Sequence, residues 1–254
     1  MNWIIQPAIR YVPRKYLQLF SQQSLRLLAF WYRGNNVQCP VDGRTYRKFL
    51  PYGRIHTRAN ALCPGSLTLE RHRLLWLYMQ DKTDFFSKPI KLLHVAPEIC
   101  FVDRFEQMDH VDYTSADLDS PWAQIKMDLH NIPFEENTFD AVLCNHVMEH
   151  VRDDLQCMRE ILRVLKPGGW AIIQSPVYDM AETYEDPTIT DPRAREAAYG
   201  QADHLRKYGH DYGDRLRRAG FAVTEDNYVQ RLTAEQVRWY ALMNNELVYF
   251  CEKK

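Results

Sequence analysis

Apolar positions change period at definable points along this chain, and those changes predict its elements. Asp140 to Cys144 is a short apolar run of the kind buried on both faces of a parallel sheet. From 153 to 165 the period lengthens: Leu155, Met158, Ile161, Leu162 and Leu165 fall at helical spacing, with Arg152, Asp153, Arg159 and Glu160 between them. Lys166-Pro167-Gly168-Gly169 stops that helix, because proline cannot continue it and glycine accepts left-handed geometry. Ala171-Ile172-Ile173 then starts a new strand, so the segment reads as strand, helix, strand, a right-handed parallel crossover. Further strands are placed near 91–96, 111–116, 124–127, 170–174, 221–228 and 246–252.

Three stretches carry a specific resemblance: Met127-Asp128-Leu129-His130-Asn131-Ile132-Pro133-Phe134, then Phe139-Asp140 through Asn145-His146 to Glu149-His150, then Arg163-Val164-Leu165-Lys166-Pro167-Gly168-Gly169-Trp170. In order and spacing they resemble the central half of a class I S-adenosylmethionine-dependent methyltransferase of the type 11-like kind. The resemblance implies an α/β fold, a Rossmann-like doubly wound seven-stranded sheet whose last two strands form an antiparallel hairpin. It also implies S-adenosylmethionine as cofactor, bound beyond the carboxyl ends of the strands where the strand order reverses.

The resemblance assigns residues to that pocket. After the first strand the family has an acid-x-Gly-x-Gly loop; here His94 stands at the acid, Ala96 at the first glycine and Glu98 at the second, with Pro97 between them. This is the main departure from the pattern, and it is tolerable because the cofactor has no pyrophosphate for backbone to approach. Ala96 is still small, Glu98 is expected to accept from the cofactor's ammonium, and His94 to reach its carboxylate side. The second strand ends at Asp117-Leu118, where one carboxylate can accept from both ribose hydroxyls; Asp119 is the nearby competitor. Asp128 is expected to accept from the adenine amino group while Leu129 offers its backbone amide to the ring. Asn145 and His146 lie beside the methionine portion, and Glu149-His150 are read as the start of the following helix.

Methyl transfer is a displacement at a sulfonium carbon, so positioning and exclusion of water supply much of the catalysis. A base is needed only for an acceptor with a proton of high pKa. His204 is the expected proton acceptor, His146 the second candidate and Tyr208 their catalytic neighbour; the alternative is that His204 and Tyr208 only pin the segment 178–210, a polar insertion long enough to form a lid. Asp203 and Arg206 are expected to tune His204 in opposite directions.

At 254 residues and 46% hydrophobic content the chain can bury one full core and a small extra module. No apolar run approaches the roughly 20 residues of a spanning helix. Six scattered cysteines fit free thiols in a reducing cytoplasm. The net charge of −1 hides an asymmetry: residues 1–69 hold ten Lys and Arg against the single acid Asp42, so the rest of the chain is acidic. Residues 1–36 read as a basic amphipathic helical arm, broken at Pro13 and near Gly34-Asn35-Asn36, that packs on the acidic domain or, through residues 1–33, contacts an anionic membrane surface.

Residues 37–80 read as a turn-rich knuckle and a linking helix over 69–80 with Thr68 as N-cap, and 81–254 as the methyltransferase domain. The knuckle resembles a zinc ribbon in which two C-P-x-C turns clamp an ion, but Asp42 and Ser66 stand where the second cysteines would be. Serine is a poor zinc ligand, so a metal-free knuckle is expected, with His56 and His72 able to complete a site only if the fold brings them near. The methyl acceptor implied is a small molecule or a glycan or lipid-linked intermediate, with the enzyme cytoplasmic and at most peripheral to the inner membrane face. Two other readings are a non-catalytic scaffold and a nucleic-acid methyltransferase. The second is disfavoured, because the chain lacks an Asn/Asp-Pro-Pro-Tyr motif.

Overall fold

The computed structural model describes residues 25–53 and 57–254. They fall into two compact units: one reaches to Phe86 and takes in Ile99–Phe101 and Tyr228–Glu246, while the other comprises Ser87–Glu98, Val102–Asn227 and Leu247–Lys254. Most of the basic arm, and His56 in the knuckle, lie outside the described residues.

The larger unit is built on one seven-stranded sheet: β1 (Ile90–Val95), β2 (Val111–Asp117), β3 (Ile125–Lys126), β4 (Phe139–Asn145), β5 (Leu165–Gln174), β6 (Ala222–Asp226) and β7 (Val248–Glu252). Their spatial order is β6-β7-β5-β4-β1-β2-β3. β7 runs antiparallel to both β5 and β6, and every other pairing is parallel. The sheet is the doubly wound arrangement anticipated, with the strand order reversing between β1 and β4. Leu92, Leu93, Ala141, Val142, Leu143, Cys144, Ile172 and Ile173 are fully buried, as expected of strands covered on both faces.

Helix α1 spans Ile99–Phe105, α2 Asp154–Val164, α3 Pro192–Tyr199 and α4 Tyr212–Ala219. In α2 the apolar stripe places Cys157, Met158, Ile161 and Val164 in the core, and the Asp153 carboxylate caps its start by accepting from the Gln156 amide. One sequence expectation is corrected here. Lys166–Gly169 is not a separate turn, because β5 begins at Leu165, directly after the helix, and runs through these residues with an irregular register. Gly168 takes a φ of +76° and donates its amide to the Lys253 carbonyl.

The stretch after β5 is also ordered. Tyr184–Glu185 pair antiparallel with Arg206–Lys207, and α3 is capped by Asp191 and ended by Gly200 at a φ of +91°. The Tyr199 hydroxyl closes the segment onto the backbone of Asp186.

In the smaller unit, Arg33–Gln38 pairs with Thr45–Tyr46 and Leu50–Tyr52 with Arg58–Leu62. Helical residues 25–31 end just before Gly34-Asn35-Asn36, which lies inside a strand, so a boundary after residue 36 would cut that strand. The following helix spans Glu70–Lys82, so a boundary after residue 80 falls within it. Thr68 is not its cap: the Thr68 hydroxyl sits 2.9 Å from Ser66 Oγ, and the Leu69 amide donates to His72 Nδ1. Arg73, fully buried, satisfies four carbonyls, those of Ala61, Thr68, Tyr240 and Ala241.

The knuckle corners do converge. Cys39, Asp42 and Cys63 bring donor atoms together, and Ser66 Oγ lies 3.1 Å from Cys39 Sγ. Asp42 is engaged by the Tyr46 hydroxyl at 2.6 Å. His72 is turned away, with its Nδ1 3.3 Å from Cys100 Sγ. Burial raises the Cys39 thiol; for Cys63 burial is the largest influence and raises the thiol, but hydrogen bonds from Cys39 and Ser66 together outweigh it and bring the thiol down to about 7. The corners therefore close on their own hydrogen bonds. Cobalt(II) added to the protein is expected to produce no thiolate-to-cobalt charge-transfer band; such a band would place an ion in the knuckle.

Candidate functional site

The carboxyl ends of β1, β2 and β4 open onto a cavity of about 670 Å³. Two non-glycine residues flank it in the left-handed region, Ala96 after β1 at a φ of +50° and His146 after β4 at +57°. Such backbone is costly for a residue with a Cβ and persists where surrounding structure imposes it. Here the Ala96 amide donates to the Ala116 carbonyl, and the His146 amide to that of Gln174. Ala96 therefore adopts a glycine-favouring conformation where the family pattern has glycine.

Asp117 ends β2 at the cavity wall. Its Oδ1 accepts from the amides of Asp119 and Ser120, at 2.7 and 2.6 Å, which fixes the carboxylate and leaves Oδ2 without a hydrogen bond among the described residues. Asp119 points elsewhere, to Lys126 Nζ at 3.1 Å. Leu118 is exposed and Leu129 buried, and both line the cavity with Val95, Ala96 and Met127.

Asp128 also reaches the wall, held by His130, which sequence reasoning had not singled out. The His130 amide and Nδ1 both bond to Asp128 Oδ1, and His130 Nε2 accepts from the Asp153 amide. Those bonds from His130 hold the Asp128 carboxyl below the usual range. The signal was local, since Asp128 and His130 are two residues apart, but the Asp153 contact spans 23 positions.

The loop after β1 departs from expectation at His94. Its ring is fully buried, with Nδ1 3.0 Å from the Tyr113 hydroxyl and Nε2 2.5 Å from Glu98 Oε2, and it does not line the cavity. Both nitrogens are committed to protein partners, one on the neighbouring strand β2 and one on Glu98, so in this structure His94 holds Glu98 in place. Glu98 Oε1 accepts from Asn145 Nδ2 at 3.0 Å. Pro97 is buried. Asn145 Oδ1 is buried and has no hydrogen-bond partner among the described residues, where the strand order reverses.

Tyr208 is the second correction. It is fully buried, and its hydroxyl lies 2.8 Å from Asp154 Oδ2 and 3.0 Å from the Met148 carbonyl. Burial pushes the phenol well above its ordinary value, so it can neither take nor give a proton near neutral pH. In the structure Tyr208 pins its own segment to the start of α2.

A buried polar group beyond β4 was largely missed. Glu149, in the turn before α2, accepts from the Ser175 hydroxyl at 2.9 Å and lies 3.4 Å from His146 Nδ1. Burial alone would raise its carboxyl, but His146 and Ser175 hold it below the usual range. His204 packs edge to face on His150 with ring centroids 4.7 Å apart. Burial and His150 lower its pKa, with Glu149 and Asp203 opposing. Arg206 does not tune it. Arg206 instead donates to the carbonyls of Met148, Val151 and Arg152 and pairs with Glu185, clamping the turn that carries Glu149 and His150.

Asp154, the first residue of α2, anchors this region through Arg215, with bonds of 2.7 and 2.8 Å. Burial raises its carboxyl, yet Arg215, Arg206 and Tyr208 together hold it below the ordinary range. A carboxyl depressed in the folded state contributes stability above its unfolded pKa, about 3.9, and loses it as pH falls through the folded value. The melting temperature is therefore expected to be level near neutrality and to fall below about pH 4. Asp154→Asn should flatten that acid limb in thermal melts; an unchanged limb would show that other carboxyls set it.

Residues 86–173 match the family described as a methyltransferase domain. Among curated proteins the chain is similar to sterol 24-C-methyltransferase of Kluyveromyces lactis, 32% identical over 136 residues, 52% of this chain and 35% of that one. It is also similar to malonyl-acyl-carrier-protein O-methyltransferase of Halorhodospira halophila, 28% identical over 108 residues, 40% of this chain and 34% of that one. The chain thus spans about a third of the length of these relatives. Among solved structures, an S-adenosylmethionine-dependent methyltransferase from Mesorhizobium loti superposes with a TM-score of 0.47 at 15% identity, covering 70% of this chain and 97% of that one.

Proposed function

We propose that the chain, whose residues 86–173 match a methyltransferase-domain family, transfers a methyl group from S-adenosylmethionine to a small-molecule, glycan or lipid-linked acceptor. The observation that carries this reading is the pair of uncommitted acceptors at the switch point, Asp117 Oδ2 and the buried Asn145 Oδ1. They match a ligand that presents a ribose diol and an ammonium group.

S-adenosylmethionine supplies an electrophilic methyl on a sulfonium. In this reading Asp117 accepts from the ribose hydroxyls, and Glu98, steadied by His94 and Asn145, accepts with Asn145 Oδ1 from the ammonium. Asp128, fixed by His130, meets the adenine edge while the Leu129 amide serves the ring. His146, held left-handed beside Glu149, stands on the acceptor side with His204, whose lowered pKa leaves the imidazole neutral and able to take a proton.

Membrane contact remains part of the proposal only through the described end of the arm. Leu27, Phe30 and Trp31 are exposed beside Arg26 and Arg33, which suits an anionic surface. No helix among the described residues is long and apolar enough to cross a membrane.

Two measurements test the proposal. Isothermal titration is expected to give saturable binding of S-adenosylmethionine at one site per chain, and methyl-labelled cofactor is expected to label a component of cell extract. Binding without any transfer would favour the scaffold reading, and absence of binding would remove both.

A further inference from the structure

Three donor groups meet beyond the residues assigned to the cofactor. One donor atom each from Glu149, His150 and His204 lies within 4.8 Å of the other two. His204 is 2% exposed, and its Nε2 has no hydrogen-bond partner among the described residues. A buried imidazole nitrogen without a partner bears its full desolvation cost, so this one calls for a partner that the described residues do not supply.

The surroundings have the form of a ligand cage. Metal-bound histidines commonly give their other ring N–H to a carbonyl or carboxylate, which fixes tautomer and orientation. The His204 ring bonds to the Tyr199 backbone, and His150 Nδ1 faces Asp203 Oδ2 at 3.4 Å. Glu149 is steadied by Ser175 and His146 and retains lone pairs beyond those contacts. The two segments are tied together, since the Leu205 amide donates to the Glu149 carbonyl and Arg206 clamps those of Met148, Val151 and Arg152. Two imidazole nitrogens and one carboxylate oxygen are a donor set suited to a cation and not to an anion.

We infer that Glu149, His150 and His204 form a site for one divalent transition-metal ion, bound by two imidazole nitrogens and a carboxylate oxygen. Three protein ligands leave coordination positions open, the arrangement of a reactive site and not of a structural one. On the methyl-transfer reading those positions would take an acceptor hydroxyl and lower its pKa, with His204 holding the ion in place of accepting the proton. The metal site itself does not rest on that reading.

The test is titration of the full chain with cobalt(II), followed by calorimetry and visible absorption. The expected result is one ion per chain with a nitrogen and oxygen ligand spectrum and no thiolate charge-transfer band. His204→Gln and His150→Asn should each weaken binding at least about tenfold. Absence of saturable binding, binding marked only by the thiolate band of Cys39 and Cys63, or undiminished affinity in the variants would overturn the inference. If His204→Gln fails to fold by circular dichroism, His150→Asn decides alone, because that side chain is 33% exposed. S-adenosylmethionine titrated into the same samples separates the two readings: cofactor binding without cobalt binding removes the metal site alone.

Discussion

Replacing Arg206 with methionine is expected to destabilise the unit that carries the sheet by about 3–5 kcal/mol, the scale for removing one partner of a buried charged network. The side chain is 1% exposed and serves three backbone carbonyls as well as Glu185. Methionine fills similar space, so cavity formation contributes little, and the loss comes from carbonyls of the 148–152 turn left buried without donors. Lysine should rescue only part of the loss, since one ammonium cannot reproduce the planar fork that reaches several acceptors at once. Thermal melts should show a fall of roughly 6 to 20 °C for methionine. A drop of only a degree or two would mean that water replaces the clamp at little cost. Because the same turn presents Glu149 and His150, variants that still fold should also lose cobalt(II) affinity.

Asp117→Asn should weaken S-adenosylmethionine binding by about 1.5–3 kcal/mol, the worth of hydrogen bonds to a charged group, or roughly ten- to a hundredfold in Kd. Asparagine is the sharper substitution here. It retains the Oδ1 that accepts from the Asp119 and Ser120 amides, so the loop keeps its turn, while the second oxygen becomes a donor that cannot accept from a diol. Asp117→Ala removes both functions and should be worse, by the two amides it leaves unpaired. Calorimetric titration of the two variants separates loop order from ribose contact. Unchanged affinity in Asp117→Asn would show that the diol is held elsewhere, whereas Asp119→Ala should leave binding near wild type because that carboxylate faces Lys126.

The missed and mistaken site residues share one physical feature. His94, Tyr208 and Glu149 each look in the sequence like a polar residue at the end of an element, and each could equally face a ligand or the interior. Their partners decide which: Tyr208 meets Asp154 across 54 positions, Arg206 meets Met148 across 58, and Glu149 meets Ser175 across 26. No local pattern records such a pairing. His94 is the nearest case, four residues from Glu98, yet even there the Tyr113 contact comes from the next strand.

What this chain determines locally is what depends on period and on backbone preference. Apolar runs of strand length set β1, β4 and β5, since a strand covered on both faces reads as a near-continuous apolar run. The helical stripe set α2, and the positions of Asp117 and Asp128 at the cavity wall were legible because a residue at the end of a buried strand is held at the sheet's carboxyl edge whatever packs around it. Tertiary structure alone decided which polar side chains stay available. It spent His94 on Glu98 and Tyr208 on Asp154, brought Cys39, Asp42 and Cys63 together without His72, and gathered Glu149, His150 and His204 from two distant segments. Burial makes a polar group costly unless it is paired, and pairing depends on neighbours that only the folded chain supplies.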